Sequence, residues 1–286
     1  MDSVALLTIR DGFFERLGII RERTTSLSTA NVLPSQENTL LASGKKTRGV
    51  VLFADISRST VLAAKYGLKA ESMLFTLDLV IPTLMDVARY YRGNFEKNTG
   101  DGILSYFGVE SSDEDAVSLA YDAACGMMEA VRDLVNPVLS HASLMPIKIT
   151  VGADLGDFIV ARIGLARDAN PMVAVGAVAN RAAKIQGSCG AGELRVGEEF
   201  WRVSQPALRR RFQSAPPPRL WPFTVPKTAA ELATERDAAR MAEEQRRREL
   251  EGRFGSMNVP GLCAESFPRI ISPTRPYRVY AYRDKC

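Results

Sequence analysis

The sequence predicts an α+β fold in which helices cover an antiparallel or mixed β-sheet. Short apolar runs typical of buried strands alternate with longer segments whose apolar residues recur at helical spacing. A hairpin interrupts this alternation near residues 93–108, where Gly100 and Gly102 supply turn conformations that other residues resist. Strands joined both by hairpins and by helices indicate a mixed sheet rather than a purely parallel one.

The elements follow in order from a strand at residues 48–56. A short helix is predicted near residues 59–66 and a longer one at residues 70–91. After the hairpin, residues 113–139 form a strongly periodic segment with an acidic first turn, which the helix dipole favours. The remaining predicted elements are strands at 146–156, 158–164 and 172–176, a helix at 179–188 and a last strand at 276–283.

The pattern divides the chain into three regions. Residues 1–46 predict an N-terminal helix and linker. Residues 47–205 together with 270–284 carry the alternation of strands and helices and predict the main domain. Residues 206–269 are first basic and proline-rich and then highly charged, which indicates a helical insertion before the last strand of that domain.

Composition excludes several classes of function. A net charge of +4 is too small to indicate nucleic-acid binding. No run approaches the ~20 apolar residues of a membrane span, and the N-terminus does not resemble a secretory signal, so a cytoplasmic location is expected. The four cysteines form no CxxC pair, which argues against zinc or a disulfide framework. His141 is the single histidine, so histidine-based catalysis is not expected.

Two acidic motifs carry the chemical signal. Asp55 ends the apolar run VVLFADI, and Asp101 lies in KNTGDG before the run ILSYFG. Taken alone, Asp55 reads as a helix cap and Asp101 as a turn residue. Together they predict two carboxylates held rigidly at strand ends, an arrangement that can share divalent cations with substrate phosphates.

These motifs, followed by VGADLGDFIVARIG and VAVGAVANRAAKIQG, resemble the catalytic domain of class III nucleotidyl cyclases. The resemblance covers about residues 48–201 and the last strand. It implies a ferredoxin-like palm and a head-to-tail homodimer with composite sites at the interface. It also implies conversion of a nucleoside triphosphate to its 3′,5′-cyclic monophosphate and pyrophosphate, with two divalent cations, Mg²⁺ or Mn²⁺.

The resemblance assigns roles to residues near the acidic motifs. Asp55 and Asp101 match the metal carboxylates, and the carbonyl of Ile56 is expected to complete the metal shell. Backbone N–H groups at the start of the following helix are expected to bind the phosphates, much as helix N-termini do elsewhere. These phosphate-binding residues are Ser57, Arg58, Ser59 and Thr60.

Further roles fall on the later motifs. Asn180 matches the asparagine that orients the ribose. Lys184 lies where the family usually has an arginine that stabilises the transition state; lysine keeps the charge but lacks the planar fork. Arg181, beside Asn180, is expected to substitute in part. Arg275, or alternatively Arg278, is the nearest candidate for the terminal phosphates.

Base recognition departs from the purine pattern. Lys97 lies where purine cyclases read the base, but Val173 replaces the residue that would accept from the adenine amino group. The unpaired donor would cost roughly 1–3 kcal/mol. Lysine is a pure donor and suits the carbonyls of uracil, or O2 of cytosine, better than guanine. UTP is therefore favoured over CTP, with ATP as the competitor.

The sequence also resembles the stand-alone pyrimidine cyclases of bacterial Pycsar anti-phage systems, which likewise depart from the purine-reading pair. In those systems the cyclic nucleotide activates a separate effector protein. Two alternatives stay open. One is an adenylate cyclase of general signalling, and the other is a catalytically degenerate nucleotide-binding regulator. A diguanylate-type cyclase is disfavoured because the GGDEF signature is absent.

Overall fold

The structure is a computed structural model, and it describes residues 28–29, 44–65, 70–109, 111–163, 172–218, 223–254 and 274–283. Most of the N-terminal helix and linker predicted for residues 1–46 lies outside these residues. The chain separates into two compact units, of which the second spans Leu220–Tyr277.

Eleven strands are described. They are β1 (Ser28–Thr29), β2 (Gly44–Ile56), β3 (Asn94–Asn98), β4 (Gly102–Phe107), β5 (Ile149–Arg162), β6 (Met172–Val175), β7 (Leu194–Gly197), β8 (Phe212–Ala215), β9 (Thr224–Pro226), β10 (Thr274–Pro276) and β11 (Val279–Tyr282). Nine of them form the main sheet in the order β3-β4-β2-β5-β7-β11-β8, with β1 beside β2 and β6 beside β5. The β1–β2 and β5–β7 pairs are parallel and the other pairs are antiparallel.

The described helices are α1 (Ser59–Lys65), α2 (Ala70–Tyr90), α3 (Asp113–Ala130), α4 (Asn136–His141), α5 (Ala177–Gly187), α6 (Glu198–Val203), α7 (Pro206–Arg209) and α8 (Ala229–Phe254), with a π-helical segment at Val131–Val135. The acidic first turn of α3 is capped, because Ser112 Oγ accepts a hydrogen bond from the Asp115 backbone N–H at 3.1 Å. None of the described helices combines the length and the apolar character that a membrane crossing requires.

The two faces of the sheet have different cores. Alternate residues of β2, such as Val50 and Leu52, pack with α2 and α3 in the larger core. On the opposite face, Val51 and Phe53 join a smaller core with Val178 and Ala182 of α5. Strand alternation places Asp55 on this second face. The predicted α+β fold with a mostly antiparallel sheet covered by helices is confirmed.

The structure differs from the sequence analysis at two places. The strands predicted at 146–156 and 158–164 form one strand, β5, because β2 pairs with it without a break from Ile56↔Ile149 to Gly44↔Ala161. The insertion predicted at 206–269 begins later, since β8 pairs with β11 in the main sheet. The second unit contains β9, β10 and α8.

Candidate functional site

Asp55 and Asp101 meet at one end of the main sheet. Asp55 is the penultimate residue of β2 and pairs with Gly102 at the start of β4. The Ile56 backbone N–H donates to the Asp101 carbonyl at 3.1 Å, which ties the turn to the strand end. A Cβ atom on Gly102 would lie 2.6 Å from Asp55 Oδ1 and would overlap the Ala54 carbonyl. Glycine at position 102 therefore permits the close approach of the two acidic residues.

The electrostatics of this pair favour a cation. Burial, and then the neighbouring Asp101 carboxylate, raise the pKa of Asp55 to about 7. Asp55 Oδ1 is buried, and no donor reaches it among the described residues. A buried carboxylate oxygen without a donor is costly, and a divalent cation relieves both this cost and the repulsion between the two carboxylates. The residues present thus fit a metal site.

The protein supplies few ligands to such a site. The part of the chain that the structure describes contains no group of three or more His, Cys, Asp or Glu side chains able to hold a metal. The oxygen atoms that the structure brings together are the carboxylates of Asp55 and Asp101, and the role of the Ile56 carbonyl stays a prediction. Hard divalent cations such as Mg²⁺ commonly combine one or two carboxylates with substrate phosphate oxygens, and this set matches that pattern.

Two residues that the sequence did not predict, Gln186 and Thr150, contact Asp55 through hydrogen-bonding groups. Gln186, on α5, donates through Nε2 to Thr150 Oγ1 at 2.8 Å and approaches Asp55 Oδ2 at 3.5 Å. Thr150, paired with Asp55 across β2 and β5, donates to the Asp55 backbone carbonyl at 3.3 Å. The one signal for Gln186 in the sequence is its spacing on α5. Gln186 follows the predicted catalytic residue Lys184 by two positions, so the two side chains face different sides of the helix.

The segment predicted to bind phosphates lies beside the carboxylates but is used in part for structure. The Ser57 backbone N–H donates to the Lys148 carbonyl at 2.8 Å, so it is committed to the fold. Arg58 adopts a left-handed backbone with φ of 57° before α1 starts at Ser59. The geometry does not support a phosphate-binding role for the Ser57 N–H. The roles of Arg58, Ser59 and Thr60 stay predictions.

The predicted catalytic residues of α5 share an outward face. Asn180 and Lys184 are exposed and lie one helical turn apart. Arg181 faces the sheet instead, and its Nε donates to the fully buried Asp154 carboxylate at 2.5 Å. This contact gives no support to the expectation that Arg181 substitutes in part for Asn180, because the guanidinium neutralises a buried charge.

The Asp154 site is built into the sheet. Asp154 Oδ1 also accepts a hydrogen bond from the Leu155 backbone N–H at 2.9 Å. A Cβ on Gly197 would overlap this carboxylate, so the neighbouring strand β7 needs glycine there. The Asp154–Arg181 ion pair thus ties α5 to β5.

The two predicted base-reading positions lie on strands β3 and β6. The Lys97 backbone, in β3, pairs with Leu104 beyond a register shift that follows Phe95. Val173, in β6, pairs with Ala161 and is half-buried. Strands β3 and β6 contact each other. The fold therefore brings together the strands that carry these two positions.

Arg275, the residue predicted for the terminal phosphates, precedes the last strand and makes an ion pair in the second unit. It lies on β10 in the second unit, where its Nε donates to Glu231 of α8 at 2.8 Å. The Thr228 backbone N–H, and to a smaller extent Arg275, lower the pKa of Glu231 to about 2. Arg275 is thus engaged in an ion pair within its own unit. The alternative, Arg278, lies in the main unit, where its backbone N–H donates to Glu198 at 3.0 Å.

The sequence is similar to that of one curated enzyme. Over 153 residues it is 28% identical to a cytidylate cyclase of Staphylococcus aureus. The match covers 52% of this chain and 36% of that protein, so the chain spans about a third of the relative's length. No protein-family model matches the chain.

Several solved structures share the fold. The guanylyl cyclase Cya2 has a TM-score of 0.55 at 23% identity, covering 61% of this chain and 87% of that chain. The adenylyl cyclase CyaB from P. aeruginosa has a TM-score of 0.56 at 17% identity, covering 85% and 97%. A class III adenylyl cyclase-like ATP-binding protein from Pseudomonas aeruginosa has a TM-score of 0.59 at 18% identity, covering 74% and 49%. The predicted resemblance is therefore confirmed: the chain has the fold of the class III nucleotidyl cyclases and is similar over about half its length to a cytidylate cyclase.

Proposed function

We propose that this protein is a nucleotidyl cyclase that converts a pyrimidine nucleoside triphosphate to its 3′,5′-cyclic monophosphate and pyrophosphate. The observation that carries the proposal is the Asp55–Asp101 pair at the end of β2, within a cyclase fold. A fold alone does not specify chemistry. The buried, donor-free oxygen of Asp55 adds a site-level reason, since it is the kind of ligand that a divalent cation needs.

Asp55, Asp101 and the Ile56 carbonyl would hold two divalent cations, Mg²⁺ or Mn²⁺. When bound, such cations favour ionisation of the attacking 3′-hydroxyl and neutralise charge on the phosphates. The chain's own contribution is to fix the two carboxylates. The β2–β4 pairing and the Ile56–Asp101 hydrogen bond hold them together before any ligand arrives.

Asn180 and Lys184 would act on the other side of the substrate. The Asn180 amide would orient the ribose, and the Lys184 ammonium would stabilise the charge that develops on the α-phosphate. Both side chains are exposed on the outward face of α5, whereas Asp55 lies behind the inward face of the same helix. This division supports a homodimer in which Asp55 and Asp101 of one protomer face Asn180 and Lys184 of the other.

The base-reading positions support a pyrimidine substrate. Val173 offers no acceptor to an adenine amino group, and Lys97 offers no acceptor to guanine. The similarity to a cytidylate cyclase agrees with a pyrimidine and favours CTP. The donor character of Lys97 favours UTP, which presents two carbonyl acceptors.

The cyclic product would act as a second messenger. The resemblance to stand-alone bacterial pyrimidine cyclases supports a cytoplasmic role in antiviral defence, in which the product binds a separately encoded effector protein.

The test is to incubate the purified chain with Mn²⁺ and each of ATP, GTP, CTP and UTP, and to identify products by mass spectrometry. We expect cyclic UMP or cyclic CMP. The variants Asp55→Ala and Asp101→Ala should each lose more than about 100-fold in activity, because each removes a direct metal ligand. Asp86→Ala is the matched control, since the Asp86 side chain is 77% exposed on α2. Parental activity in the first two variants would contradict the proposal.

A second candidate is a nucleotide-binding regulator without turnover. Val173 and Lys184 depart from the family pattern, and one structural neighbour is described as a cyclase-like ATP-binding protein. The same experiment separates the two functions. A chain that binds a nucleotide tightly, yet forms no cyclic product from any of the four, would be the regulator. Cyclic AMP as the main product would indicate an adenylate cyclase.

A further inference from the structure

The last turn of α5 is held against the strand ends that carry the carboxylates. A Cβ on Gly152 of β5 would lie 2.5 Å from Gln186 Cα and would overlap its backbone nitrogen. The absence of a side chain at position 152 therefore lets the helix touch the sheet. At this contact the Gln186 side chain reaches two atoms, Thr150 Oγ1 and Asp55 Oδ2.

We propose that Gln186 is a positioning residue for the metal-binding carboxylate of Asp55, holding Oδ2 so that Oδ1 is presented to a divalent cation. This inference rests on the metal site of the proposed function and adds a residue to it. Gln186 itself would touch neither the metal nor the substrate.

The donor pattern supports this role. Nε2 of Gln186 has two hydrogens, of which one is used by Thr150 and the other faces Asp55 Oδ2. The contact of 3.5 Å is long, but the terminal torsion of an aspartate is soft, so a small rotation of the carboxylate shortens it. Oδ1 is left without a donor among the described residues. The amide thus distinguishes the two oxygens of one carboxylate.

Thr150 completes the arrangement. Its hydroxyl accepts from Gln186 and donates to the Asp55 backbone carbonyl. The side chain and the main chain of Asp55 are therefore held through the same pair of residues. Hydrogen bonds to a ligating carboxylate usually set its orientation and affect metal affinity by about 10- to 100-fold.

The position of Gln186 also joins two parts of the proposed site. It lies on the helix that carries Asn180 and Lys184. In a composite dimer, those outward residues serve one site while Asp55 of the same chain serves the other. Movement of α5 at one site would then alter the orientation of Asp55 at the second site through Gln186.

The test measures the binding of Mn²⁺ to the full chain in the absence of nucleotide. Electron paramagnetic resonance detects the Mn²⁺ that stays free. Gln186→Met keeps the length of the side chain and removes the amide. We expect about 10-fold weaker Mn²⁺ binding. Gln213→Met is the matched control, because Gln213 is exposed on β8 of the same unit, and it should bind Mn²⁺ like the parent.

Gln186→Glu distinguishes a positioning role from a purely structural one through the change of melting temperature that Mn²⁺ causes. It replaces the donor with a third carboxylate beside Asp55. Without metal this variant should melt at a lower temperature than the parent, because like charges repel. With Mn²⁺ its melting temperature should rise more than that of the parent, since a ligand that binds only the folded state stabilises it. A structural role predicts lower stability in both variants and a parental response to Mn²⁺.

Asp55→Ala separates this inference from the proposed function. If Asp55→Ala abolishes Mn²⁺ binding while both Gln186 variants bind Mn²⁺ within about twofold of the parent, below the usual effect of such partners, the positioning role is overturned and the metal site stands. If Asp55→Ala binds Mn²⁺ like the parent, the metal site itself is overturned. Should Gln186→Met fail to fold, Gln186→Glu and Thr150→Val carry the same comparison.

Discussion

The two faces of α5 are built differently. On the inward face, Arg181 pairs with the buried Asp154 and Gln186 contacts Asp55 and Thr150. On the outward face, Asn180 and Lys184 are exposed. The inward face is thus bound to the sheet by specific polar contacts, and the outward face presents its polar groups at the surface of the chain.

This difference indicates how a cyclase site can be divided between two chains. The inward face supports the carboxylate half of a site within one protomer. In the proposed homodimer, the outward face would supply the remaining half and would meet the carboxylates of a second protomer. The inward ion pair of Arg181 should therefore govern stability, and the outward residues should govern turnover.

The largest expected effect on stability comes from the inward face. Asp154→Ala leaves the Arg181 guanidinium, whose side chain is 15% exposed, without its carboxylate. Removing one partner of a buried ion pair should cost about 3–5 kcal/mol of unfolding free energy, measurable by urea denaturation. Asp157→Ala on the same strand is the control, because Asp157 is 56% exposed and faces Arg48 at 3.5 Å. An equal loss in both variants would contradict the special role of Asp154.

The outward face should show the opposite behaviour. Lys184→Ala is expected to lower kcat by about 100-fold, as the loss of a charge that stabilises the transition state does. Its unfolding free energy should stay within about 0.5 kcal/mol of the parent, since the residue is exposed. Lys184→Arg keeps the charge and should retain most of the activity. Unchanged kcat in Lys184→Ala would remove this residue from the proposed mechanism.

The contact between α5 and the sheet gives a smaller effect. Gly152→Ala places a methyl group against the Gln186 backbone, which cannot rotate away as a side chain would. Overpacking of this kind should destabilise the protein by about 1–3 kcal/mol. Gly187→Ala, at the end of α5, is the matched control because its Cβ would meet nothing within 4 Å. Thermal melting of the two variants measures the difference.

The smallest expected effect concerns the base. Val173→Thr adds an acceptor where an adenine amino group would need one, so the ratio of kcat/KM for ATP to that for UTP or CTP should rise by about 10-fold. Competition between the nucleotides measures this ratio directly. An unchanged ratio would show that Val173 does not read the base.

The sequence was sufficient to predict the fold and the place of the acidic pair. Asp55 ends an apolar run and Asp101 lies in a Gly-Asp-Gly turn, so local pattern alone puts both at strand ends. Their approach across β2 and β4 then follows from ordinary strand pairing. The position of each acidic residue at a strand end can therefore be predicted from a short stretch of sequence.

Other residues depend on register and packing, which the sequence does not display. Gln186 and Thr150 reach Asp55 only because β5 pairs with β2 in one register and α5 lies on β5. The sequence predicts that Arg181 substitutes in part for its neighbour Asn180, because the buried partner of Arg181, Asp154, is distant in sequence. Proximity to the last strand predicts a phosphate role for Arg275, whereas its ion pair with Glu231 lies within the second unit.

The most direct test of the divided site is complementation between two inactive variants. Asp55→Ala and Lys184→Ala, carrying different tags, would be expressed together, and cyclic nucleotide formation would be compared with each variant alone. Random pairing makes half of the dimers mixed, and each mixed dimer has one intact composite site, so activity should recover to about a quarter of the parental value. A co-expressed pair as inactive as the separate variants would show that the acidic pair and Lys184 do not act across two chains.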